Sequence, residues 1–273
     1  MLSRLHLTVH GARGSTPVAG EHTDRYGGRT TCFGLDVSPE TTIVVDCGTG
    51  MAFAPELLSM APVHYHIFIT HYHYDHLQGL QFFRPLYEPQ HQFTFYGHKL
   101  DSMPLAEAIG GVFRPPWFPV SLDDTLADKN FVELDGAPHL IDGVEIRSTR
   151  LRHPQGVSAF RIEHEDRSIV IATDHEAGDE DIDRRLTDFA SGATTLIHDA
   201  QYTPEEYEDQ YVGWGHSTWK GAVDSANAAG VERLVLTSHD PFRSDGDIDA
   251  ILAESRLEFP RTDAAYEGMQ IPI

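Results

Sequence analysis

Three histidines and one aspartate lie within a single short run of the sequence, His71-Tyr72-His73-Tyr74-Asp75-His76. The run follows the apolar residues 64–69, which have the composition of a buried strand. A short loop after a strand can turn these side chains to one side, and packing alone does not explain so many imidazoles. Imidazole nitrogen and carboxylate oxygen are the ligands that borderline metals such as zinc prefer. The run therefore predicts a metal site at the end of a strand.

Further candidate ligands follow other predicted strands. The alternation and apolar content of the sequence predict strands at 5–9, 32–37, 42–46, 64–69, 144–149, 159–163, 168–172, 194–198 and 234–237. His153, Asp174 and His239 each come shortly after one of them. Because the first run is too small to complete two coordination spheres, these three residues are the expected remaining ligands.

The chain has no internal repeat and no flexible linker, so we expect one domain over residues 1–273. Helices are predicted after His76, after the capping pair 217–218 and from about Asp245, the second of them ending at Gly230. Two groups of strands, each followed by helices, predict an α/β fold in which helices cover two sheets. The proline-rich and aromatic segment at about 100–134 is interpreted as an insertion or flap beside the site, or as a loop packed at an edge.

The charge balance limits the partners of this chain. It carries 42 acidic and 20 basic residues, a formal net charge of −22. Duplex nucleic acid and anionic membranes need clustered Lys and Arg, so neither is an expected partner, whereas a small anion held at a metal is compatible. The two cysteines, Cys32 and Cys47, are predicted to be core thiols in a reducing compartment. The start of the chain has a strand pattern and no membrane span is visible, so we expect a cytoplasmic protein.

The ligand pattern resembles that of the metallo-β-lactamase superfamily. Its first motif, H-x-H-x-D-H, matches residues 71–76, and its later histidine, aspartate and histidine match His153, Asp174 and His239. The resemblance implies an αββα sandwich with two divalent metal ions, Zn²⁺ being the expected metal and Mn²⁺ or Fe²⁺ the alternatives. It implies that one ion is held by His71, His73 and His153, the other by Asp75, His76 and His239, and that Asp174 bridges them.

Such a pair of ions suits hydrolysis. Two cations about 3.5–4 Å apart polarise a phosphoryl or carbonyl oxygen and lower the pKa of a bridging water, which supplies hydroxide for attack. Asp75 is a candidate both for binding a metal and for orienting that hydroxide.

Two further stretches, residues 196–202 and 213–218, resemble those of the tRNase Z-type phosphodiesterases, in which an H-E-A-T-like stretch precedes an H-S-T histidine. The resemblance implies that His216 is the general acid, that Asp199 orients it and that His198 lines the site. An alkoxide leaving group needs such an acid, which contributes on the order of 10²–10⁴-fold. The alternative for His216 is a loop residue before a helix.

The sequence departs from that branch, since Asp199 and Gln201 replace its glutamate and threonine and no long tRNA-gripping arm is evident. With the net charge, these departures favour a small phosphodiester, above all a 3′,5′-cyclic nucleotide. Segments 13–17, 25–30 and 118–120 are similar to those of enzymes acting on cyclic nucleotides or cyclic sugar phosphates. The alternatives are an RNA 3′-end endonuclease, a cyclic sugar-phosphate phosphodiesterase, a lactonase or thioesterase, a β-lactamase, and a nucleotide sensor without turnover.

Four residues are candidates for contacts with the substrate. Arg13 and Arg29 are interpreted as phosphate clamps, because guanidinium binds phosphate through two hydrogen bonds. Trp117 and Phe118 are interpreted as stacking surfaces for a base. A structural role is the alternative for either arginine. The resemblance also makes a homodimer an expected assembly.

Overall fold

The computed structural model describes residues 5–100 and 103–273. Its contacts divide the chain into two units. The first unit comprises residues 5–11, Arg29–Asp135 and Gly268–Pro272, and the second comprises Ala12–Gly28, Gly136–Glu267 and Ile273. Each unit is described by itself below.

The strands and helices are short and follow one another closely along the chain. The strands are β1 (His6–Gly11), β2 (Cys32–Ser38), β3 (Thr41–Val45), β4 (His64–Phe68), β5 (Gln92–Gly97), β6 (Asp128–Glu133), β7 (His139–Ile141), β8 (Val144–Leu151), β9 (Val157–His164), β10 (Arg167–Ala172), β11 (Thr195–Asp199), β12 (Arg233–Thr237), β13 (Thr262–Ala264) and β14 (Gln270–Pro272). The α-helices are α1 (Thr49–Ala52), α2 (Leu105–Gly110), α3 (Glu180–Ala190), α4 (Pro204–Glu206), α5 (Trp219–Ala229) and α6 (Asp245–Glu258). Single 3₁₀ turns form at Pro55–Leu57, Tyr74–His76, Leu80–Phe82, Arg84–Tyr87 and Leu122–Asp124, and a π-helical turn forms at Tyr207–Tyr211.

The first unit is built on a seven-stranded mixed sheet in the order β14-β1-β2-β3-β4-β5-β6. Strands β3 to β6 are parallel, and the other neighbouring pairs are antiparallel. Every residue of β3 is buried, as a central strand requires. Aromatic residues of β4 and β5 pack with helix α2 in one apolar core. Because parallel strands end at the same sheet edge, the residues after β3 and β4 are brought side by side.

The second unit has a seven-stranded mixed sheet in the order β13-β12-β11-β10-β9-β8-β7. Strands β10 to β13 are parallel, and β7 to β10 pair antiparallel. Apolar residues of α3 and α5 pack against β10, β11 and β12. The carboxyl ends of these three parallel strands meet at one edge, and each is followed by a candidate functional residue.

The helix boundaries of the second unit agree with the sequence. Thr218 caps α5 by accepting a hydrogen bond from the Gly221 amide, and Gly230 ends the helix in the left-handed conformation with φ +63°. Helix α6 begins at Asp245, where Ser244 and Asp247 form a capping box. The predictions of these two helices and of the α/β class are confirmed.

The helix predicted after His76 is wrong. The chain forms separate 3₁₀ turns there, because its backbone groups bond across to another loop: the Gly79 amide donates to Cys47, and the Cys47 amide donates to His76. Leu77 and Phe83 are nevertheless fully buried, so the apolar spacing indicated burial correctly.

The segment interpreted as an insertion or flap contains regular structure. Helix α2 and Phe113 pack into the core of the first unit, and strand β6 forms the edge of its sheet beside β5. Residues 101 and 102 lie outside the described residues. Strands β5 and β6 and helix α3 were not predicted from the sequence. Within the described part of the chain, no helix has both the length and the apolar character to cross a membrane.

Candidate metal centre and acid–base pair

The first unit gathers the four side chains of the histidine run at the end of β4. His71, Asp75 and His76 are buried. Residues 74–76 form a 3₁₀ turn, which brings Asp75 and His76 close to His71. The ring centroid of His71 lies 4.5 Å from that of His73 and 4.2 Å from that of His76. The Asp75 Oδ2 atom lies 3.3 Å from the His76 Nε2 atom. The turn thus concentrates imidazole nitrogen and carboxylate oxygen in one small region.

A buried aspartate that the sequence reading missed holds this run in place. Asp46 follows β3, and its Oδ2 atom accepts hydrogen bonds from His76 Nδ1 at 2.8 Å and from the Thr70 hydroxyl at 2.8 Å. Its Oδ1 atom accepts the Thr70 amide at 2.8 Å. A metal-binding histidine commonly donates its second ring nitrogen to a carboxylate, which fixes the tautomer and the ring orientation. The signal in the sequence was an aspartate directly after a fully buried strand.

Burial and hydrogen bonding act in opposite directions on Asp46. Burial raises the pKa of its carboxyl group, the neighbouring His76 and Thr70 lower it, and the net pKa lies above the ordinary value. Its backbone adopts φ +62°, a left-handed conformation that is uncommon outside glycine. Such conformations persist where the surrounding contacts over-determine them, and often at functional sites.

The second unit gathers Asp174, Asp199 and His216. Each of them offers a ligand atom within 4.8 Å of those of the other two, and all three are buried. The Ser238 hydroxyl donates to Asp174 Oδ1 at 3.1 Å. Asp174 and Ser238 adopt φ values of +51° and +56°, so this cluster, like Asp46, contains non-glycine residues in the left-handed conformation.

Asp199 is the acceptor that organises the cluster. Its Oδ2 atom lies 2.7 Å from His216 Nδ1 and accepts the Asp174 amide at 3.1 Å. Its Oδ1 atom accepts the Ser217 amide at 2.8 Å. Burial raises the pKa of Asp199, His216 lowers it, Asp174 raises it, and the net direction is upward. With Nδ1 committed to Asp199, His216 presents Nε2 as its reactive nitrogen.

His153 and His239, the other two predicted ligands of this unit, have one ring nitrogen each committed to a backbone carbonyl. His153 Nδ1 donates to Gly215 at 2.7 Å, and His239 Nε2 donates to Ala265 at 2.9 Å. Burial lowers the pKa of His239 to about 4, so its imidazole is neutral at neutral pH, as a metal ligand must be. Neither residue belongs to the group formed by Asp174, Asp199 and His216.

The donors of both units fit a divalent metal ion by their chemistry. They combine imidazole with carboxylate, and His76, His153 and His239 each donate a second ring nitrogen to a fixed acceptor. The side chains suited to metal binding are His71, His73, Asp75 and His76 in the first unit and His153, Asp174 and His239 in the second.

His198 is not part of the acid–base cluster, which corrects the prediction that it lines the site with His216. Successive strand residues point to opposite faces of a sheet, so His198 and Asp199 on β11 diverge. The His198 ring lies beside His175, with centroids 5.7 Å apart, and its Nδ1 donates to the Asp199 carbonyl at 2.7 Å. Burial lowers the pKa of His198 to about 3, so it is neutral and unsuited to donating a proton at neutral pH.

Arg13 has a structural role in the second unit, which corrects its interpretation as a phosphate clamp. Its side chain is buried, with Nε donating to Gly27 at 2.8 Å and Nη1 donating to the carbonyls of Asp240 and Arg243 at 3.0 and 2.8 Å. These partners come from distant parts of the chain, so the guanidinium ties three loops together.

The other predicted substrate contacts all lie in the first unit. Arg29 donates to the Phe53 carbonyl at 3.1 Å and lies over its ring. Phe118 packs edge-on against Phe113 and against the apolar core of the first unit, so part of its ring is covered by protein. Trp117 is 74% exposed, and the Arg114 guanidinium lies 5.4 Å from its ring centroid. Of the two aromatic candidates, Trp117 keeps the more open surface.

Comparison with known proteins assigns the family. A family model described as a beta-lactamase superfamily domain matches residues 41–239, which is more than half of the chain. The chain belongs to the metallo-β-lactamase superfamily. The metallo-β-lactamase fold protein YhfI from Bacillus subtilis is similar over 98% of this chain and 99% of that chain, with a TM-score of 0.72 and 20% identity. The predicted superfamily and its fold are therefore confirmed.

Curated relatives of this superfamily member include ribonuclease Z proteins, which agrees with the predicted tRNase Z-like branch. The ribonuclease Z of Archaeoglobus fulgidus is 35% identical over 96 residues, 35% of this chain but 31% of that protein. The ribonuclease Z of Bacillus velezensis is 23% identical over 251 residues, 76% of this chain and 80% of that protein. The first of these matches thus spans less than a third of its relative.

Proposed function

We propose that the protein is a metal-dependent phosphoric diester hydrolase that acts on a small phosphodiester, a 3′,5′-cyclic nucleotide. The observation that carries the proposal is the bond of 2.7 Å between His216 Nδ1 and Asp199 Oδ2, next to the candidate ligand Asp174. Hydrolysis of a thioester releases a thiolate, a leaving group that needs less help from an acid than an alkoxide does. An oriented imidazole beside an aspartate ligand therefore favours cleavage of a phosphodiester with an alkoxide leaving group.

The metal ligands that we propose are those predicted from the sequence. The ions are two divalent cations, zinc being the metal we expect, held by His71, His73, Asp75, His76, His153, Asp174 and His239. When bound, divalent ions neutralise phosphate charge and lower the pKa of a bound water molecule, so that hydroxide is available for attack at neutral pH. Support for this assignment comes from the second ring nitrogens of His76 and His153, each of which already has an acceptor.

The residues of the second unit supply the proton. His216 keeps a small exposure in an otherwise buried cluster, so its Nε2 atom can meet a substrate oxygen. Asp199 is fully buried and accepts hydrogen bonds from three backbone amides besides its bond to His216. It opposes the charge of the protonated ring and fixes the ring orientation. In the proposed reaction His216 donates its Nε2 proton to the oxygen that leaves phosphorus, and Asp199 remains unprotonated.

An RNA 3′-end endonuclease is the second candidate function. It is favoured by the ribonuclease Z relatives, one of which aligns with 76% of this chain. The net charge of −22 favours the smaller substrate, because binding of RNA depends on neutralising many phosphates. A cyclic sugar phosphate would meet the same acid–base pair and is a third substrate to compare. The cytoplasmic location and the homodimer stay predictions.

The test is turnover by the purified, metal-analysed protein. The panel contains 3′,5′- and 2′,3′-cyclic nucleotides, a cyclic sugar phosphate and a precursor tRNA, with a lactone, a thioester and a β-lactam as other classes. The Asp75→Ala variant serves as the inactive control, and Asp263→Asn serves as a matched control because its carboxylate pairs with Arg233 and Arg256 instead.

Hydrolysis of a 3′,5′-cyclic nucleotide by the wild type and by Asp263→Asn, but not by Asp75→Ala, is the expected result. Cleavage of tRNA alone would replace the proposed substrate by the second candidate. Tight binding of a cyclic nucleotide without product, or turnover of the lactone, thioester or β-lactam alone, would contradict the proposed function.

A further inference from the structure

Glu176 is a buried carboxylate with more hydrogen-bond donors than an isolated side chain needs. It lies in the loop after β10 and is 2% exposed. Its Oε1 atom accepts the Tyr207 hydroxyl at 2.7 Å and the Gly213 amide at 2.7 Å, and its Oε2 atom accepts the Gly215 amide at 2.9 Å. The Arg152 guanidinium lies 3.3 Å from Oε1. Hydrogen bonds to a charged carboxylate are stronger than bonds between neutral groups, so Glu176 holds these donors firmly in position.

All the uncharged donors come from one segment, residues 207–216, which we call the acid loop because it ends at His216. The loop starts with the π-helical turn Tyr207–Tyr211, a rare geometry that is frequent at functional sites. Glu176 binds both ends of it, at Tyr207 and at Gly215. Removing its carboxylate group would leave these two ends without their shared acceptor.

The same loop holds a predicted metal ligand. The Gly215 carbonyl accepts the proton of His153 Nδ1 at 2.7 Å. Gly215 has φ +92°, and a Cβ atom there would lie 2.3 Å from His153 Nδ1, so the backbone must approach the ring closely. Gly215 therefore donates to Glu176 through its amide and fixes His153 through its carbonyl.

The residue after Gly215 is the proposed acid. His216 is held by Asp199, and its ring centroid lies 5.4 Å from that of His153. Among the described residues, the Glu176 side chain makes no hydrogen bond to the ring of His153 or His216. Its contacts are to the acid loop and to Arg152, the residue before His153. It thus acts on both imidazoles through the backbone.

We propose that Glu176 is a positioning residue, which fixes the acid loop so that His153 keeps the tautomer of a metal ligand and His216 keeps its place as the acid. The inference rests on the proposed function for the role of the two histidines. Its structural content, the fixing of the loop and of the His153 ring by a buried carboxylate, is tested without turnover.

The variant that tests it is Glu176→Gln. Glutamine keeps the volume but has one oxygen, so an NH₂ group faces at least one of the donors Tyr207, Gly213 and Gly215. Tyr207→Phe removes a single donor and leaves both glycine bonds, which gives a graded second variant. Asp263→Asn is the matched control, because it removes the same charge from a carboxylate bonded only to arginines.

The first readout is amide hydrogen exchange of the metal-free protein. In Glu176→Gln the amides of Gly213 and Gly215 should exchange about tenfold faster or more, since each has lost or weakened its acceptor. Tyr207→Phe should give a smaller increase, and Asp263→Asn should give none within 207–216. Unchanged exchange of the two glycine amides in Glu176→Gln would overturn the proposal.

The second readout is zinc affinity, measured by competition with a chromophoric chelator. Losing an orienting contact around a ligand typically weakens metal binding about 10–100-fold, and we expect a loss in this range for Glu176→Gln. The third is kcat for a phosphodiester with an alkyl leaving group against one with a nitrophenyl leaving group. Misplacing His216 should lower the first more than the second, whereas a general loss of fold would lower both equally.

The outcomes separate this inference from the proposed function. If the wild type hydrolyses no phosphodiester while Glu176→Gln loosens the acid loop and weakens zinc binding, the function fails and the positioning role stands. If zinc affinity and the ratio of the two kcat values match those of Asp263→Asn, the positioning role fails whatever the wild type hydrolyses.

Discussion

The two units obtain their candidate ligands in different ways. In the first unit the ligands are neighbours in sequence, on one turn after β4, and a single aspartate, Asp46, secures them. In the second unit His153, Asp174 and His239 come from three separate loops, and each has its own partner. A sequence motif thus encodes the first set, whereas the order of strands in a sheet assembles the second. The first set should tolerate changes elsewhere in its sheet better than the second.

The largest effect should come from neutralising one aspartate in each unit. Asp75→Asn and Asp174→Asn keep side-chain volume, and asparagine also tolerates the left-handed backbone at 174. Each should lower turnover by at least about 10³-fold, because a carboxylate ligand is lost. Metal analysis should separate them: Asp75→Asn should lose the ion that the family resemblance assigns to Asp75, His76 and His239, and Asp174→Asn, the bridge that the resemblance implies, should weaken binding of both ions. Equal metal content in the two variants would contradict the bridging role.

The next effect concerns the acid of the second unit. His216→Ala should lower kcat by about 10²–10⁴-fold on a substrate with an alkoxide leaving group. It should retain its bound metal, because the predicted ligands stay in place. Wild-type turnover in this variant would remove His216 from the mechanism.

A smaller effect is expected from the aspartate that secures the first unit. Asp46→Asn should weaken zinc binding about 10–100-fold, since an amide orients the His76 ring less well than a carboxylate does. Chelator competition against Asp36→Asn, a carboxylate bonded only to Thr42, provides the comparison. If both variants bind zinc like the wild type, the turn is held by its own backbone and Asp46 is dispensable.

The last effect concerns stability, not turnover or zinc binding, and is a pH dependence that arises in the second unit. The pKa of His198 is lowered to about 3 by burial, from an ordinary value of 6.5. The unfolded chain therefore binds an extra proton between these values, so the stabilisation is complete above about pH 6.5 and is lost as the pH falls toward 3. The slope is at most about 1.4 kcal/mol per pH unit. Urea unfolding of metal-free His198→Asn should show a shallower slope in this window; an unchanged slope would mean that other groups carry it.

The sequence predicted the features that are local or that follow from strand ends. The run 71–76 and Asp174 follow predicted strands, and the residue pattern located them. Asp199 and His216 were identified through the resemblance to the tRNase Z-type phosphodiesterases. The sequence also predicted nine strands, because alternation and apolar runs are local signals. The ligand roles of these residues stay predictions.

What the sequence could not show depends on distant contacts. Asp46 and Glu176 act through hydrogen bonds to residues 30 and 39 positions away, which no local pattern reveals. The carbonyl partners of Arg13 at Asp240 and Arg243 are further still, so its burial could not be foreseen. The prediction for His198 could have been corrected from the sequence, because successive residues of a strand such as β11 point to opposite faces of the sheet, and His198 and Asp199 are successive.

The left-handed backbones of Asp46, Asp174 and Ser238 carry a consequence for protein engineering. A non-glycine residue in this conformation costs roughly 1–2 kcal/mol, which glycine would recover. Glycine at any of the three positions would also remove a side chain that makes buried hydrogen bonds, which costs about 1–3 kcal/mol for each partner left unsatisfied. Relief of backbone strain therefore gives no net gain in stability at these positions, and thermostabilisation of this chain has to begin at other residues.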